Sequence, residues 1–150
     1  MQIITWSGLL TSAQPETDSP TIKRSGCQNA TGFEIELCTE TGHAKCYLDL
    51  APGHLNSHGI LHGGIIAMIL DVACGNTASA YFDRVEHPLV LTVSLNTNYI
   101  GAVREGRVIA TGKPAGGGRN LCYVNGEMHH QDGTLIATAT GVFKRHSKVK

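Results

Sequence analysis

Asp71 is the only charged residue between Gly64 and Phe82, in the run Gly64-Ile-Ile-Ala-Met-Ile-Leu-Asp-Val-Ala-Cys-Gly-Asn-Thr-Ala-Ser-Ala-Tyr-Phe82. A helix of that composition has no polar face and should be buried on nearly all sides. A carboxylate inside it is costly to desolvate unless it is paired, coordinated or kept protonated, and proteins tolerate that cost mainly where the acid has work to do. Just ahead lies His54-Leu-Asn56-Ser-His58-Gly59-Ile-Leu-His62-Gly63-Gly64, dense in glycines and polar side chains. The first backbone N–H groups of a helix have no internal partner and carry the positive end of its dipole. Glycines at that point let a ligand approach the backbone, which suits an anion or an oxyanion. A helix beginning near Gly63 puts Asp71 about two turns in, roughly 12 Å along the axis, too far for both to act on one small group. A second helix running antiparallel would bring the acid of one subunit to the N-terminus of the other, so the spacing favours a two-fold dimer with sites at its interface.

Other residues that could do chemistry carry less. His54, His58 and His62 recur every four residues, as metal ligands on a helix face can. Pro52-Gly53 and Gly59 argue against a helix there, so no metal site is assigned. Cys74 follows Asp71 by one turn and reads as small core packing rather than a nucleophile. Tyr81 and Phe82 read as core, and His43, His129 and His130 as exposed polar residues. The five cysteines, Cys27, Cys38, Cys46, Cys74 and Cys122, form an odd set with no Cys-x-x-Cys pair. That speaks against a disulfide framework or a zinc ribbon and fits a reducing cytoplasm.

Bulk properties narrow the partners. The 150 residues suit one domain with a real core. Twelve basic and twelve acidic residues cancel, and the basic tail from Lys144 to Lys150 is a short solvated terminus. Neither nucleic acid nor an anionic membrane would find a concentrated positive field. The start, Met1 to Leu10, lacks a basic region and a long apolar stretch, so no signal peptide is expected. The 64–82 run approaches membrane-spanning length, but Asp71, Gly75, Asn76, Thr77 and Ser79 favour a helix buried in protein.

The surrounding pattern supplies the elements that must hold Asp71. Residues 1–31 read as a mobile or peripherally packed lead-in with room for one short helix around Ile3–Leu10, ahead of a domain over 32–150. Phe33–Thr39 and Ala44–Leu50 alternate apolar and polar residues as half-buried strands do, with Thr41-Gly42 as the turn between them. Pro88–Ile100, Gly106–Ala115, Arg119–His130 and Thr134–Arg145 read as four more strands, separated by turn residues rather than helices. The sheet should therefore be mostly antiparallel and curled around the single helix, an α+β architecture of about six strands.

The stretch His54-x-Asn56-x-x-Gly59-x-x-His62-Gly63-Gly64, with Asp71 seven positions on, closely resembles the signature of hot-dog-fold acyl-CoA thioesterases of the phenylacetate-degradation (PaaI-like) branch. The resemblance covers roughly residues 33–145 and includes the strand order and the closing Asp132–Phe143 segment. It implies hydrolysis of acyl-CoA to free acid and coenzyme A by a homodimer or homotetramer, in the cytoplasm and without a metal or redox cofactor. Asp71 matches the catalytic carboxylate, as general base on water or as nucleophile. Asn56 matches the residue that positions the water or the thioester. Gly63 matches the helix-start N–H that polarises the carbonyl, with Gly64 beside it and His62 shaping the loop. Thr92 falls where relatives place a Ser or Thr near the acid. Gly117, Gly118, Arg119 and Asn120 occupy a turn that in relatives can contact coenzyme A. Two rival readings follow the same fold: a non-catalytic acyl-CoA-binding or regulatory module, and a hot-dog dehydratase or hydratase. Gly101-Ala102 replaces the proline that many relatives carry shortly after the residue matching Tyr99, which bears on the acyl pocket.

Overall fold

The computed structural model describes residues 24–38 and 40–146. A short helix α1 (Gly26–Thr31) leads into strands β1 (Glu34–Leu37) and β2 (Ala44–Asp49). A 3-10 turn at Pro52–His54 precedes the long helix α2 (Gly63–Phe82). Strands β3 (Val90–Tyr99), β4 (Arg107–Gly117), β5 (Leu121–His130) and β6 (Leu135–Arg145) follow without another helix. The six strands form one sheet in the order β1-β2-β4-β5-β6-β3, with every pairing antiparallel. The helix carries the chain from β2 to the far edge, so β3 is an edge strand although it stands third in sequence.

Alternation along each strand sets the face that meets α2. Val108, Ala110 and Gly112 of β4, Val124, Gly126 and Met128 of β5, and Ala137 and Ala139 of β6 point inward and are buried. Small residues in that layer let the helix sit very close. A Cβ on Gly112 would stand 2.6 Å from Thr77 Oγ1 and 2.9 Å from the Ala73 carbonyl oxygen, and one on Gly126 would stand 2.7 Å from Cys74 Sγ. The polar groups of α2 are satisfied locally. Thr77 Oγ1 accepts from the Ala44 N–H at 2.9 Å, Ser79 Oγ donates to the Pro88 carbonyl at 2.7 Å, and Asn76 Nδ2 donates to the Val72 carbonyl at 2.8 Å.

The expectation of a helix buried on nearly all sides needs correction. Ile66, Ile69, Leu70, Ala73, Cys74, Thr77 and Ala78 are buried against the sheet. On the opposite flank Gly64 is exposed, and Ile65, Met68, Asp71 and Val72 are only half-buried. One sheet offers one inner face, so a single chain covers one side of a helix that is apolar all round. By length and composition α2 could cross a membrane, but half of its apolar window is buried within the chain.

Two smaller readings also change. Tyr81 is exposed and lies over the backbone of Gly117 rather than in the core. His130 is partly buried, with Nδ1 bonded to Asp132 at 3.0 Å. The helix expected around Ile3–Leu10 lies outside the described residues. At the end of the lead-in, α1 packs on the domain through the Cys27 thiol, which donates to Met68 Sδ at 2.9 Å, and through a bond from His54 Nε2 to the Thr31 carbonyl at 2.9 Å.

The tight seat of α2 generates one expectation. Gly112→Ala should destabilise the fold by about 1–3 kcal/mol, because the new methyl must displace the helix backbone as well as the Thr77 hydroxyl; an unchanged urea midpoint would show that the layer can yield. A second concerns the β5–β6 turn. Asp132 Oδ1 accepts from the Thr134 N–H at 2.8 Å. That bond first, then the Thr134 hydroxyl and His130, hold the Asp132 carboxyl down to about 2. Its folded value lies below the unfolded ~3.9, so its contribution is present above pH ~4 and fades as the pH falls toward 2. Melting temperature should therefore drop less steeply from pH 4 to pH 2 in Asp132→Asn than in the natural chain.

Candidate functional site

The loop before α2 is held by its own backbone. Leu55 and Leu61 form an antiparallel bridge that closes a tight turn. Within it the Asn56 N–H donates to the Ile60 carbonyl at 2.8 Å, and the Gly59 N–H to the Asn56 carbonyl at 2.9 Å. Gly59 has φ 68°, which an L side chain rarely adopts. Asn56 Oδ1 accepts from the N–H groups of His58 at 2.9 Å and Ile60 at 3.3 Å. That pins the amide oxygen, so Nδ2 is the free end, a donor with no partner among the described residues.

His62 caps α2. Its Nδ1 accepts from the Gly64 N–H at 2.9 Å, which places the ring proton on Nε2. The His62 carbonyl takes the N–H groups of Ile65 at 3.0 Å and Ile66 at 3.1 Å. Among the described residues one first-turn donor remains uncommitted, the N–H of Gly63. Gly64 gives its N–H to the cap; lacking a Cβ, it leaves room for the imidazole, whose Nδ1 would stand 3.0 Å from a Cβ there. His54 and His62 do not gather on a common centre. His54 spends both ring nitrogens on backbone, accepting from Ala51 N at 3.0 Å and bonding the Thr31 carbonyl, and His62 spends Nδ1 on its cap.

The acid lies farther along the same helix. Asp71 faces β3, where the Thr92 hydroxyl donates to Asp71 Oδ1 at 2.8 Å. The β3–β6 register shifts between Thr92 and Ser94, an irregularity of the kind that re-aims a side chain. The hydrogen bond ties down one carboxylate oxygen and leaves Oδ2 for a water or a carbonyl carbon. One turn beyond, burial pushes the Cys74 thiol up to about 12, with the Asp71 charge adding to the effect, so Cys74 stays protonated.

The expected residues thus form two groups in one chain. His62, Gly63 and Gly64 form the helix start, with Asn56 in the turn before it, and Asp71 and Thr92 stand about 12 Å along the axis. The turn containing Gly117, Gly118, Arg119 and Asn120 belongs to the other end of α2, beside Tyr81, about 15 Å past Asp71. There the Gly118 N–H donates to the Leu121 carbonyl at 2.8 Å and the Asn120 carbonyl accepts from Arg145 N at 2.9 Å. A cleft of about 490 Å³ lined by His43, Lys45, Thr111, Lys113, Asn125 and Glu127 lies on the outer face of the sheet and includes none of these residues. Asp71 itself is half-buried, on the flank of α2 that the sheet does not cover.

Two residues at the helix start escaped the sequence reading as functional candidates. Tyr99 Oη donates to the Gly63 carbonyl at 3.1 Å, and Arg104 Nη1 donates to the carbonyls of His58 at 2.8 Å and Gly59 at 3.2 Å. These contacts span 36, 46 and 45 positions, so no local pattern marks them.

Comparison with known proteins shows the family and the fold. The profile of the thioesterase superfamily matches residues 58–137, which include Gly63, Asp71 and Thr92. The medium/long-chain acyl-CoA thioesterase YigI of Salmonella typhimurium is 31% identical over 127 residues, covering 76% of this chain and 81% of that protein. A conserved protein of Pseudomonas aeruginosa superposes with TM-score 0.74 at 27% identity, over 82% of this chain and 95% of the other. A Bacillus halodurans protein solved with CoA superposes with TM-score 0.75 at 23% identity, over 85% of this chain and 83% of the other. With a match across more than half of its length and the same sheet wrapped on one helix, the chain belongs to the thioesterase superfamily and has the hot-dog fold.

Proposed function

We propose that the chain hydrolyses acyl-CoA thioesters at sites built between two copies of itself, in the manner of the PaaI-like branch. The observation that carries this reading is the division of labour along α2: one uncommitted N–H at Gly63, and an acid held by Thr92 about 12 Å away. Antiparallel association of two helices through their open flanks brings the halves together. The surface agrees. Edge strand β3 exposes Leu91, Val93, Tyr99 and the adjoining Ile100 at 50–59% of their areas, beside the half-buried Met68 and Val72. A ten-residue edge of that character is a template for pairing, and a second copy is the occupant that also completes the site.

The chemistry follows. The thioester carbonyl oxygen accepts from Gly63 N–H and Asn56 Nδ2 of one subunit. Asp71 of the other takes a proton from water as the oxygen attacks the carbonyl carbon. The tetrahedral intermediate expels the thiolate, which recovers the proton from Asp71 and leaves as coenzyme A. Water is the only other reactant, and no metal or redox cofactor enters the scheme. The carrier nucleotide runs toward Arg119 and the Gly117–Asn120 turn; the Bacillus halodurans relative solved with CoA supports such a carrier. The Salmonella typhimurium relative is a medium/long-chain acyl-CoA thioesterase, which makes medium and long acyl chains the first to test. The unpaired cysteines suit a reducing cytoplasm as the place of action.

Hydrolysis of short, medium, long and aromatic acyl-CoAs, followed with a thiol reagent, should find turnover that falls about a hundredfold or more in Asp71→Asn with the fold intact. Ligand-induced stabilisation without turnover would instead establish an acyl-CoA-binding module. A subunit test is independent of substrate identity. Asp71→Asn and Asn56→Ala should each be poor alone, and random re-association of the two should restore about a quarter of natural activity, because about half of the dimers are mixed and each of those holds one intact site of two. No gain on mixing would place both groups of a site in one chain.

A further inference from the structure

The connection from β3 to β4 touches the site loop at three successive points. Tyr99 Oη donates to the Gly63 carbonyl at 3.1 Å, the Leu61 N–H donates to the Val103 carbonyl at 2.8 Å, and Arg104 Nη1 bridges the carbonyls of His58 and Gly59 at 2.8 and 3.2 Å. The connection is itself anchored. The N–H groups of Ile100 and Gly101 both donate to the Ile136 carbonyl at 2.9 Å, and a Cβ on Gly101 would stand 2.9 Å from the Leu135 carbonyl oxygen. Val103 is buried in the main core cluster. A segment rooted on β6 therefore clasps the loop from outside.

What it clasps is rich in glycine. Gly63 and Gly64 open the helix without side chains to restrict their backbone, and Gly59 holds a left-handed conformation in the turn that presents Asn56. Tyr99 lays its ring against Gly63 so closely that a Cβ there would lie 3.3 Å from Cε1, and its hydroxyl fixes the first carbonyl of α2. Arg104 gathers two adjacent carbonyls of the Asn56 turn. Among the described residues it forms no ion pair, so the carbonyl pair is its engagement.

We propose that Tyr99 and Arg104 are positioning residues for the thioester hydrolysis. They hold the helix start and the Asn56 turn so that the Gly63 N–H and the Asn56 amide converge on one carbonyl oxygen. The proposal rests on the hydrolase reading above. Donors stabilise developing charge well only when they need not reorient as the reaction proceeds, and a displacement of about 1 Å in such a group can cost on the order of a hundredfold in rate. Neither residue needs to touch the substrate to exert that effect. A purely structural brace would affect melting temperature and leave kcat alone.

The test uses the full chain in its natural oligomer and the acyl-CoA that it turns over fastest. Tyr99→Phe and Arg104→Ala should each lower kcat by about tenfold with KM within about twofold and melting temperature unchanged. Low-millimolar guanidinium should restore a large part of the Arg104→Ala rate and none of the Tyr99→Phe rate. Undiminished kcat in both variants, or losses that follow melting temperature and ignore guanidinium, would overturn the clasp while leaving the hydrolase reading in place. Silence of the natural chain with every acyl-CoA would overturn that reading and the clasp together.

Discussion

Between Ala73, Cys74 and Thr77 of α2 and the glycines at 112 and 126 there is no room for one more methyl group. That contact governs much else in the molecule. A helix seated so low on its sheet must present Ala, Cys and Thr on that side, and the strands beneath must carry Ala and Gly. Close packing of this kind collects many weak dispersion contacts and leaves no channel, so an acyl chain cannot thread between helix and sheet at those positions. The open flank of α2 is the opposite one, where Thr92 bonds the half-buried Asp71. The sealed side also explains the cysteines: burial pushes the thiols of Cys46 and Cys74 up to about 12 and that of Cys122 up to about 11, which suits small packing groups rather than nucleophiles.

At the start of α2 the donors are allocated with little left over. A bare helix N-terminus offers several N–H groups and attracts anions in general. Here the His62 ring and carbonyl between them absorb the donors of Gly64, Ile65 and Ile66. A single donor at Gly63, with a side-chain amide nearby, suits one developing oxyanion better than a phosphate that needs several contacts. Gly64 eases the approach of the imidazole to its own helix, since a Cβ there would crowd the ring at 3.0 Å.

The fold was largely legible because its periodicities are strong. The six strands occur where the alternation of Phe33–Leu50 and Pro88–Arg145 indicates, and α2 spans the apolar run around Asp71. The helix boundary at Gly63 and the bond between Thr92 and Asp71 also agree with the sequence reading. What could not be read depends on contacts distant in sequence or on the number of walls around a site. The commitment of the Gly64 N–H turns on a rotamer of His62. The roles of Tyr99 and Arg104 depend on a crossing that joins residues more than thirty positions apart. Tyr81 looked like core from its apolar neighbours, yet the β4–β5 turn covers only part of its ring. The half-burial of Asp71 was missed because composition records that a helix is apolar on every side, and does not record how many of those sides the chain's own sheet covers.

A rigid rod with its donor at one end and its acid two turns away cannot close on a carbonyl alone, however the side chains move. On the two-subunit reading, a newly made single chain is therefore chemically idle in a cell full of thioesters. Its specific activity becomes a function of its own concentration, rising steeply around the dissociation constant of the pair. Amount of protein and rate would then cease to be proportional at high dilution, and the supply of partner chains would act as a throttle on the reaction.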